Sequence, residues 1–312
     1  MGMMIIISHY LLHQKKKEIV MLQVLVDVFF RSKMLKKRLR TLFSRKVAVV
    51  GMIGVLIFVL LAIFAPYLTP YNPNQMSLRE TSQGPSAKHW LGTDYAGRDV
   101  LTRILYGARV SLVIGVLSVL IAAVIGSFLG LLCAYYGGVL DSVIMRIIEG
   151  MDAIPQVMIS MALLAVFGTG FTNLALILGI TTIPSDIRMM RASALSVKNS
   201  DYMLAARLQG GSPFWQMVKH MLPNSLSPLI VMITQQVGGT IVVESGLSFM
   251  GIGISVPTAS WGSMLSEGRN YLLTNPVYAL SPGLAIALLI ICLNLFGDGV
   301  RDALDPRLRG DH

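Results

Sequence analysis

Long apolar stretches without a charged residue alternate with polar segments along this chain. Each stretch is long enough to cross the roughly 30 Å hydrocarbon core of a bilayer, because a helix rises about 1.5 Å per residue. The pattern therefore predicts a membrane protein built from helices. The five stretches are Val47–Tyr67, Val110–Leu140, Ala153–Ser185, Met221–Val243 and Tyr271–Gly297.

The third stretch is interrupted by Gly168-Thr169-Gly170, which predicts a helical hairpin in place of one long helix. We expect its first arm to begin in the amphipathic run from Asp141 and its second arm to continue to about Pro184. With one helix from each of the other stretches, the sequence predicts an all-α, polytopic membrane protein with about six transmembrane helices.

The composition and the distribution of charge support this topology. Hydrophobic residues make up 54% of the 312 residues and charged residues only 13%, which is typical of membrane proteins. If the N-terminus is cytoplasmic, 20 of the 26 Lys and Arg residues fall on the cytoplasmic side, eleven of them before Val47. This positive-inside bias predicts that both termini are cytoplasmic. The same bias explains the net charge of +10, because most basic residues lie in segments predicted to flank the membrane on the cytoplasmic side. We therefore expect no nucleic-acid partner.

The segment Asp201–Asn224 contains polar and charged residues, lies between apolar stretches of the sequence and is predicted to be cytoplasmic. Its first part indicates a short helix that ends at the two glycines 210 and 211. Ser212 then supplies an N-cap and Pro213 a suitable first helical residue. We expect the second short helix to end near Pro223, because proline lacks an N–H donor and restricts the residue before it.

The composition of this segment allows two interpretations. Its small residues let another surface approach the backbone closely, and Phe214 and Trp215 offer large apolar anchors, which suits insertion into a cleft. An amphipathic helix lying at the membrane interface has a similar composition. The residues alone leave both interpretations open.

Few other residues suggest chemistry. Glu244 lies in an apolar stretch, where an ionised carboxylate is costly unless it faces the bundle interior or a water-filled path, so it is a candidate pathway residue. Cys133 and Cys292 lie in apolar runs without metal-binding spacing, and His89 and His220 have no ligand partners at such spacing. We therefore predict no metal site. No nucleophile elbow, HExxH or phosphate-binding glycine motif occurs in the sequence, so an enzyme is not expected.

The central segment resembles the cytoplasmic EAA loop of permease subunits of binding-protein-dependent ABC importers. The family pattern is Glu-Ala-Ala, three residues, Gly, nine residues, Ile, one residue and Leu-Pro. Here Leu204-Ala205-Ala206 begins the pattern, Gly210 and His220 follow at the family spacing, and Leu222-Pro223 completes it. Leu204 and His220 replace the usual Glu and Ile.

Further motifs are similar to the dipeptide, oligopeptide and nickel permease subfamily, and to its C-type subunit. The resemblance covers about residues 45 to 309. Ile183 to Arg188 departs from the Trp and Tyr-Ala-Arg run that is usual before the EAA loop. The similar segments are His89 to Leu112, Glu244 to Ile254, Ser260 to Leu272 and Gly297 to Arg307.

The resemblance implies a type I ABC importer permease-like fold with a cytoplasmic two-helix coupling loop, in the bacterial inner membrane. The implied partners are a homologous second permease subunit, two ABC ATPase subunits, an extracytoplasmic substrate-binding protein and the lipid bilayer. The chain itself would need no cofactor, since ATP and Mg would be bound by the ATPases. The implied ATPase-coupling residues are Asp201, Tyr202, Leu204, Ala205, Ala206, Arg207, Gly210, Gly211, Ser212, Pro213, Phe214, Leu222 and Pro223.

The predicted topology places two loops of the family, His89 to Arg103 and Ser260 to Tyr271, on the extracytoplasmic side, where they are candidates for a gate or for contacts with the binding protein. Simple interfacial anchoring of their aromatic residues is the alternative. The candidate gate or contact residues are Trp90, Asp94, Arg98, Trp261 and Glu267.

The chain thus divides into five predicted parts. They are a basic cytoplasmic segment (1–46), a first transmembrane helix (47–67), an extracytoplasmic loop (68–106), a core permease domain (107–300) that contains the loop 201–224, and a cytoplasmic tail (301–312).

The favoured function is an importer permease for short peptides. A nickel or metal-chelate importer of the same family is the first alternative, and an ion-coupled secondary transporter that uses Glu244 is the second.

Overall fold

A computed structural model describes residues 42–304. The basic segment before residue 42 and the predicted tail from residue 305 onward therefore lie outside the described residues. The described part is helical and contains no β-strand, apart from one isolated bridge between Thr93 and Asp99. Its helices, in chain order, are α1 (Lys46–Leu68), α2 (Val100–Tyr136), α3 (Gly138–Asp152), α4 (Gln156–Phe167), α5 (Phe171–Lys198), α6 (Asp201–Leu208), α7 (Pro213–Gln216), α8 (Leu222–Phe249), α9 (Trp261–Gly268) and α10 (Pro276–Leu304).

Four continuous helical segments in the described residues are long and apolar enough to cross a membrane: α1, α2, α10 and the run Pro213–Phe249. The pair α3 and α4 passes the same test only together, and it is bent by 88°. The structure therefore has four such helices, or five if the bent pair is one span, against the six expected. The fifth helix, α5, is long enough, but Asp186 and Arg188 make its second half polar.

One expectation about the ends of the hairpin stays open and one was wrong. The expected first arm from Asp141 onward is not one straight helix, because the chain bends by 88° between α3 and α4, where Pro155 cannot donate an amide hydrogen. Its second arm does not end at Pro184 but continues to Lys198. The break itself is where the glycines predicted it, with Gly168 and Gly170 both at positive φ.

The core of the bundle is the close pairing of α2 with α5. Glycines on α2 make this approach feasible, because a Cβ at Gly126 would overlap the Cβ of Asp186, and one at Gly130 would lie 2.8 Å from the carbonyl oxygen of Ile187. On the other side of α2, α1 packs against α10, where Gly51 lies against the backbone of Phe296. Helix α8 crosses between these two pairs and contacts α2, α5 and α10.

Candidate functional site: the predicted coupling loop and a buried ion cluster

Helix α6 begins the predicted coupling loop and is fixed to the bundle by its inner face. Met203 and Ala206 are buried, and Met203 packs in an apolar cluster with Leu131 of α2, Met190 of α5 and Met217. This anchoring leaves the outer face of α6 free. Three large residues of that face, Tyr202, Leu204 and Leu208, are exposed, with Leu208 at 81%.

The turn after α6 depends on its glycines. Gly210 has φ of +73° and its N–H donates to the carbonyl oxygen of Arg207, as at a helix C-terminus that closes with a left-handed residue. A Cβ at Gly211 would overlap the indole ring of Trp215. Ser212 then accepts a hydrogen bond from the N–H of Trp215 at 3.3 Å, and Pro213 begins α7, as the sequence predicted.

The predicted helix end at Pro223 is wrong. Residues Met217–Met221 form a π-helical turn, and Leu222 donates its N–H to the carbonyl oxygen of Met217, so the helix continues into α8. A π-helical turn changes which amide meets which carbonyl, and the helix therefore tolerates the missing N–H of Pro223. The second helix of the predicted coupling loop is thus continuous with α8, in a helical run long and apolar enough to span a membrane.

His220 and Gln216 fix the loop in this orientation. His220, which replaces the usual Ile, packs against Trp215 with ring centroids 4.5 Å apart. Gln216 is buried, accepts a hydrogen bond from the Tyr135 hydroxyl at 3.0 Å and donates to the carbonyl oxygen of Gly211 at 2.6 Å. The loop is therefore tied to the end of α2.

Of the thirteen predicted coupling residues, most lie on the outer surface of the loop. Ala206 is buried, Gly211 and Leu222 are partly buried, and none of the three can provide a large contact area. The exposed members are Asp201, Tyr202, Leu204, Ala205, Arg207, Gly210, Ser212, Pro213, Phe214 and Pro223.

At the other end of the bundle, four charged residues form a buried cluster. Asp94 pairs with Arg98 at 2.5 Å, and Arg98 and Arg103 reach the same oxygen of Glu267 at 2.9 and 3.3 Å. Both arginines and Asp94 have no exposed side-chain surface. Burial lowers the pKa of Arg98, but the neighbouring carboxylates of Asp94 and Glu267 reverse this and the pKa is raised overall.

This ion cluster joins the loop between α1 and α2 to helix α9. Asp94 also accepts hydrogen bonds from the N–H groups of Ala96 and Arg98, which fixes the loop backbone. Trp261, the first residue of α9, is fully buried and donates its indole N–H to the carbonyl oxygen of Ile104 at 3.0 Å. The structure therefore brings Asp94, Arg98, Trp261 and Glu267 into one packed region.

Trp90, the fifth predicted extracytoplasmic residue, lies apart from this region on the surface and is 73% exposed. A direct contact with a partner needs an accessible side chain, and Trp90 has one. Arg103 is the last residue of the predicted loop His89 to Arg103, but the sequence did not single it out as a gate or contact residue.

Glu244 lies on α8 and is fully buried, with its carboxylate facing α2. Its carboxylate accepts hydrogen bonds from Ser111 at 3.0 Å, from Ser248 at 2.9 Å and from Ser245 at 3.3 Å. Ser248 in turn accepts the N–H of Ile254, which follows the end of α8. Three hydroxyl donors account for the buried carboxylate, so its position needs no ion path.

Comparisons with known proteins agree with this architecture. Residues 126–310 match the family described as binding-protein-dependent transport system inner membrane component, and residues 33–85 match the N-terminal transmembrane domain of oligopeptide transport permease C. Among solved structures, the inward-facing MetNI methionine ABC transporter is similar, with a TM-score of 0.55 and 18% identity over 66% of this chain and 97% of that one. This likeness concerns the fold.

Curated relatives are similar over most of their length. A glutathione transport system permease protein of Pectobacterium atrosepticum is 39% identical over 86% of this chain and 90% of its own length. A dipeptide transport system permease protein of Alkalihalophilus pseudofirmus is 39% identical over 88% and 90%. A probable D,D-dipeptide transport system permease protein of Escherichia coli is 42% identical over 82% and 86%. These relatives are transport permeases and not enzymes.

Proposed function

Because the chain belongs to the family of binding-protein-dependent transport system inner membrane components, we propose that it is a permease subunit of an ATP-driven importer for short peptides. In this proposal it lies in the bacterial inner membrane with both termini in the cytoplasm. It forms half of the transport path with a homologous second permease. Two ATPases bind ATP and Mg, and an extracytoplasmic binding protein delivers the substrate.

The observation that carries this proposal is the two-sided construction of the coupling loop. Its inner face is buried against α2, α5 and α8, whereas Tyr202, Leu204, Leu208 and Phe214 are exposed on its outer face. A rigidly held apolar surface of this kind suits the cleft of a partner protein. The loop would pass closure of the ATPases to α8 through the continuous helix that starts at Pro213.

Leu204 gives the proposal a specific test. It stands where the family pattern has Glu and is 57% exposed, so a charge there meets the partner without disturbing the bundle. We expect Leu204→Arg to prevent co-purification with the ATPases while insertion in the membrane is unchanged. Val139→Arg is the matched control, because Val139 is an exposed aliphatic residue outside the coupling loop.

Transport is measured with all subunits reconstituted in liposomes with the binding protein. ATP should drive uptake of a labelled dipeptide, and Leu204→Arg should remove that uptake. Uptake driven by an ion gradient without ATP would overturn the proposal in favour of a secondary transporter. Uptake of a nickel chelate but of no peptide would retain the importer and replace its substrate.

A further inference from the structure

A polar cavity of about 290 Å³ lies in the bundle where α4, α5 and α8 meet. Its walls carry amide and hydroxyl groups in a region that is otherwise apolar. Polar groups inside a membrane bundle are costly and tend to mark the path of a polar solute. The lining includes Gln156, Thr181, Thr182, Ser185, Gln236 and Thr240.

The donors of this cavity are almost all used by the protein itself. The hydroxyls of Thr181, Thr182 and Ser185 donate to helix carbonyl oxygens at 2.8 to 3.2 Å. The side-chain amide of Gln156 donates to both threonine hydroxyls, at 3.2 and 3.1 Å. Thr240 is the one hydroxyl of the lining for which the described residues offer no hydrogen-bond partner.

Gln236 is oriented by a carboxylate behind it. Its amide nitrogen donates to Asp186 at 2.7 Å and to Ser185 at 3.1 Å, so both amide hydrogens are used. That oxygen and one oxygen of Asp186 are buried and have no hydrogen-bond partner among the described residues. Asp186 has no exposed surface and takes part in no ion pair there, whereas Asp152 at the cavity edge is paired with Arg188.

The cavity wall therefore consists of amide and hydroxyl groups that are largely paired with one another, and Gln236 and Ser185 of this wall contact a buried carboxyl group that has no ion-pair partner among the described residues. A carboxylate behind the wall of a low-dielectric cavity favours a cation within the cavity over an anion. We infer that this cavity is a solute-binding segment of the transport path that holds the ammonium group of the solute. The inference rests on the proposed importer function and adds the chemistry by which this subunit would bind its solute. The cavity is at the lower end of the size range of small-molecule sites, so it fits one end of a short peptide.

The test places a single reactive thiol in the cavity. Gly239 lines it and has open space for a side chain, so Gly239→Cys is introduced after both natural cysteines are replaced by alanine. The complex, with its second permease and ATPases, is treated with a positively charged aminoethyl or a negatively charged sulfonatoethyl methanethiosulfonate. Val242→Cys, on an exposed part of the same helix, is the matched control.

We expect the aminoethyl reagent to modify Cys at 239 on the order of tenfold faster than the sulfonate, after correction for their rates with a free thiol. Asp186→Asn should reduce this preference, and the control position should not show it. Equal rates, an unchanged preference in Asp186→Asn, or no modification by either reagent would overturn the inference.

Protection distinguishes the two sources of a cationic group. Glycylglycine should slow modification several-fold and N-acetylglycylglycine should not. Protection by sodium chloride relative to choline chloride, without protection by the dipeptide, would assign the cavity to a metal cation and overturn the solute assignment. ATP-driven uptake by the cysteine-free parent is measured separately, so loss of the importer function and loss of the cavity assignment give different results.

Discussion

The buried ion cluster should make a large contribution to the stability of its end of the bundle. Asp94→Ala removes the partner of Arg98 at 2.5 Å and the carboxylate 3.5 Å from Arg103, and it leaves two fully buried guanidinium groups to share Glu267. Removal of one partner from a buried ion pair typically costs about 3–5 kcal/mol, because the remaining charge stays desolvated. Since each kcal/mol lowers the Tm of a protein of this size by about 2–4 °C, we expect a decrease on the order of 10 °C.

The assay is thermal unfolding of the purified protein in detergent, followed by circular dichroism and by intrinsic fluorescence. Fluorescence is informative because Trp261 is buried beside the cluster. Asp94→Asn is the graded variant. It keeps an oxygen for the backbone N–H groups of Ala96 and Arg98 but loses the charge, so its Tm should lie between that of the unchanged protein and that of Asp94→Ala.

The matched control is Lys88→Ala, in the same loop. Lys88 is paired with Glu80 at the surface, where solvent and salt screen the interaction, so its loss should leave the Tm unchanged within error. A Tm of Asp94→Ala equal to that of Lys88→Ala would refute the argument that desolvated arginines depend on Asp94.

Three further predictions concern the packing between helices. Gly126→Ala should lower the Tm, since overpacking costs about 1–3 kcal/mol. Gly150→Ala is the control, because a side chain at Gly150 would enter open space, and it should not lower the Tm. Equal effects of the two substitutions would contradict the close approach of α2 and α5. Glu244→Leu leaves three serine hydroxyls without their acceptor and should destabilise the protein by about 1–3 kcal/mol. Glu244→Gln keeps an oxygen, so it should destabilise the protein less and retain ATP-driven uptake. Loss of uptake in a stable Glu244→Gln variant would support an ion path. Ala206→Arg should lower the Tm because Ala206 is 3% exposed, whereas Leu204→Arg should not; an unchanged Tm in Ala206→Arg would contradict the anchoring of α6.

Much of the fold could be predicted from the lengths of the apolar stretches and from the residues that form turns and helix caps. The start of α1, the break at Gly168 and Gly170, and the N-cap at Ser212 followed by Pro213 depend on local chemistry that a single sequence displays. The spacing of the EAA pattern could indicate a coupling loop for the same reason, because it is a property of nearby residues in one segment; the coupling role itself stays a prediction.

Contacts between distant residues could not be predicted in the same way. Asp94 and Glu267 are far apart in sequence, and only the packing of α9 on the loop before α2 brings them together. The bend between α3 and α4, and the passage of α5 beyond Pro184, also depend on neighbouring helices that bury some residues and leave others exposed. A local rule for proline overestimated its effect at Pro223, where a π-helical turn restored the hydrogen bonding.

That π-helical turn changes how the coupling loop would transmit force. Two short helices separated from the membrane spans would rotate about flexible joints, and movement of an attached ATPase would be partly lost at each joint. Here the helical backbone is interrupted before α6, at Asn199–Ser200, and again at the α6–α7 turn around Gly210, whereas α7 continues into α8 without a break. Helix α8 also carries Gln236 and Glu244, which contact α5 and α2 through hydrogen bonds. Displacement of Phe214 by a partner would therefore move the wall of the polar cavity directly, because both belong to one continuous helical segment.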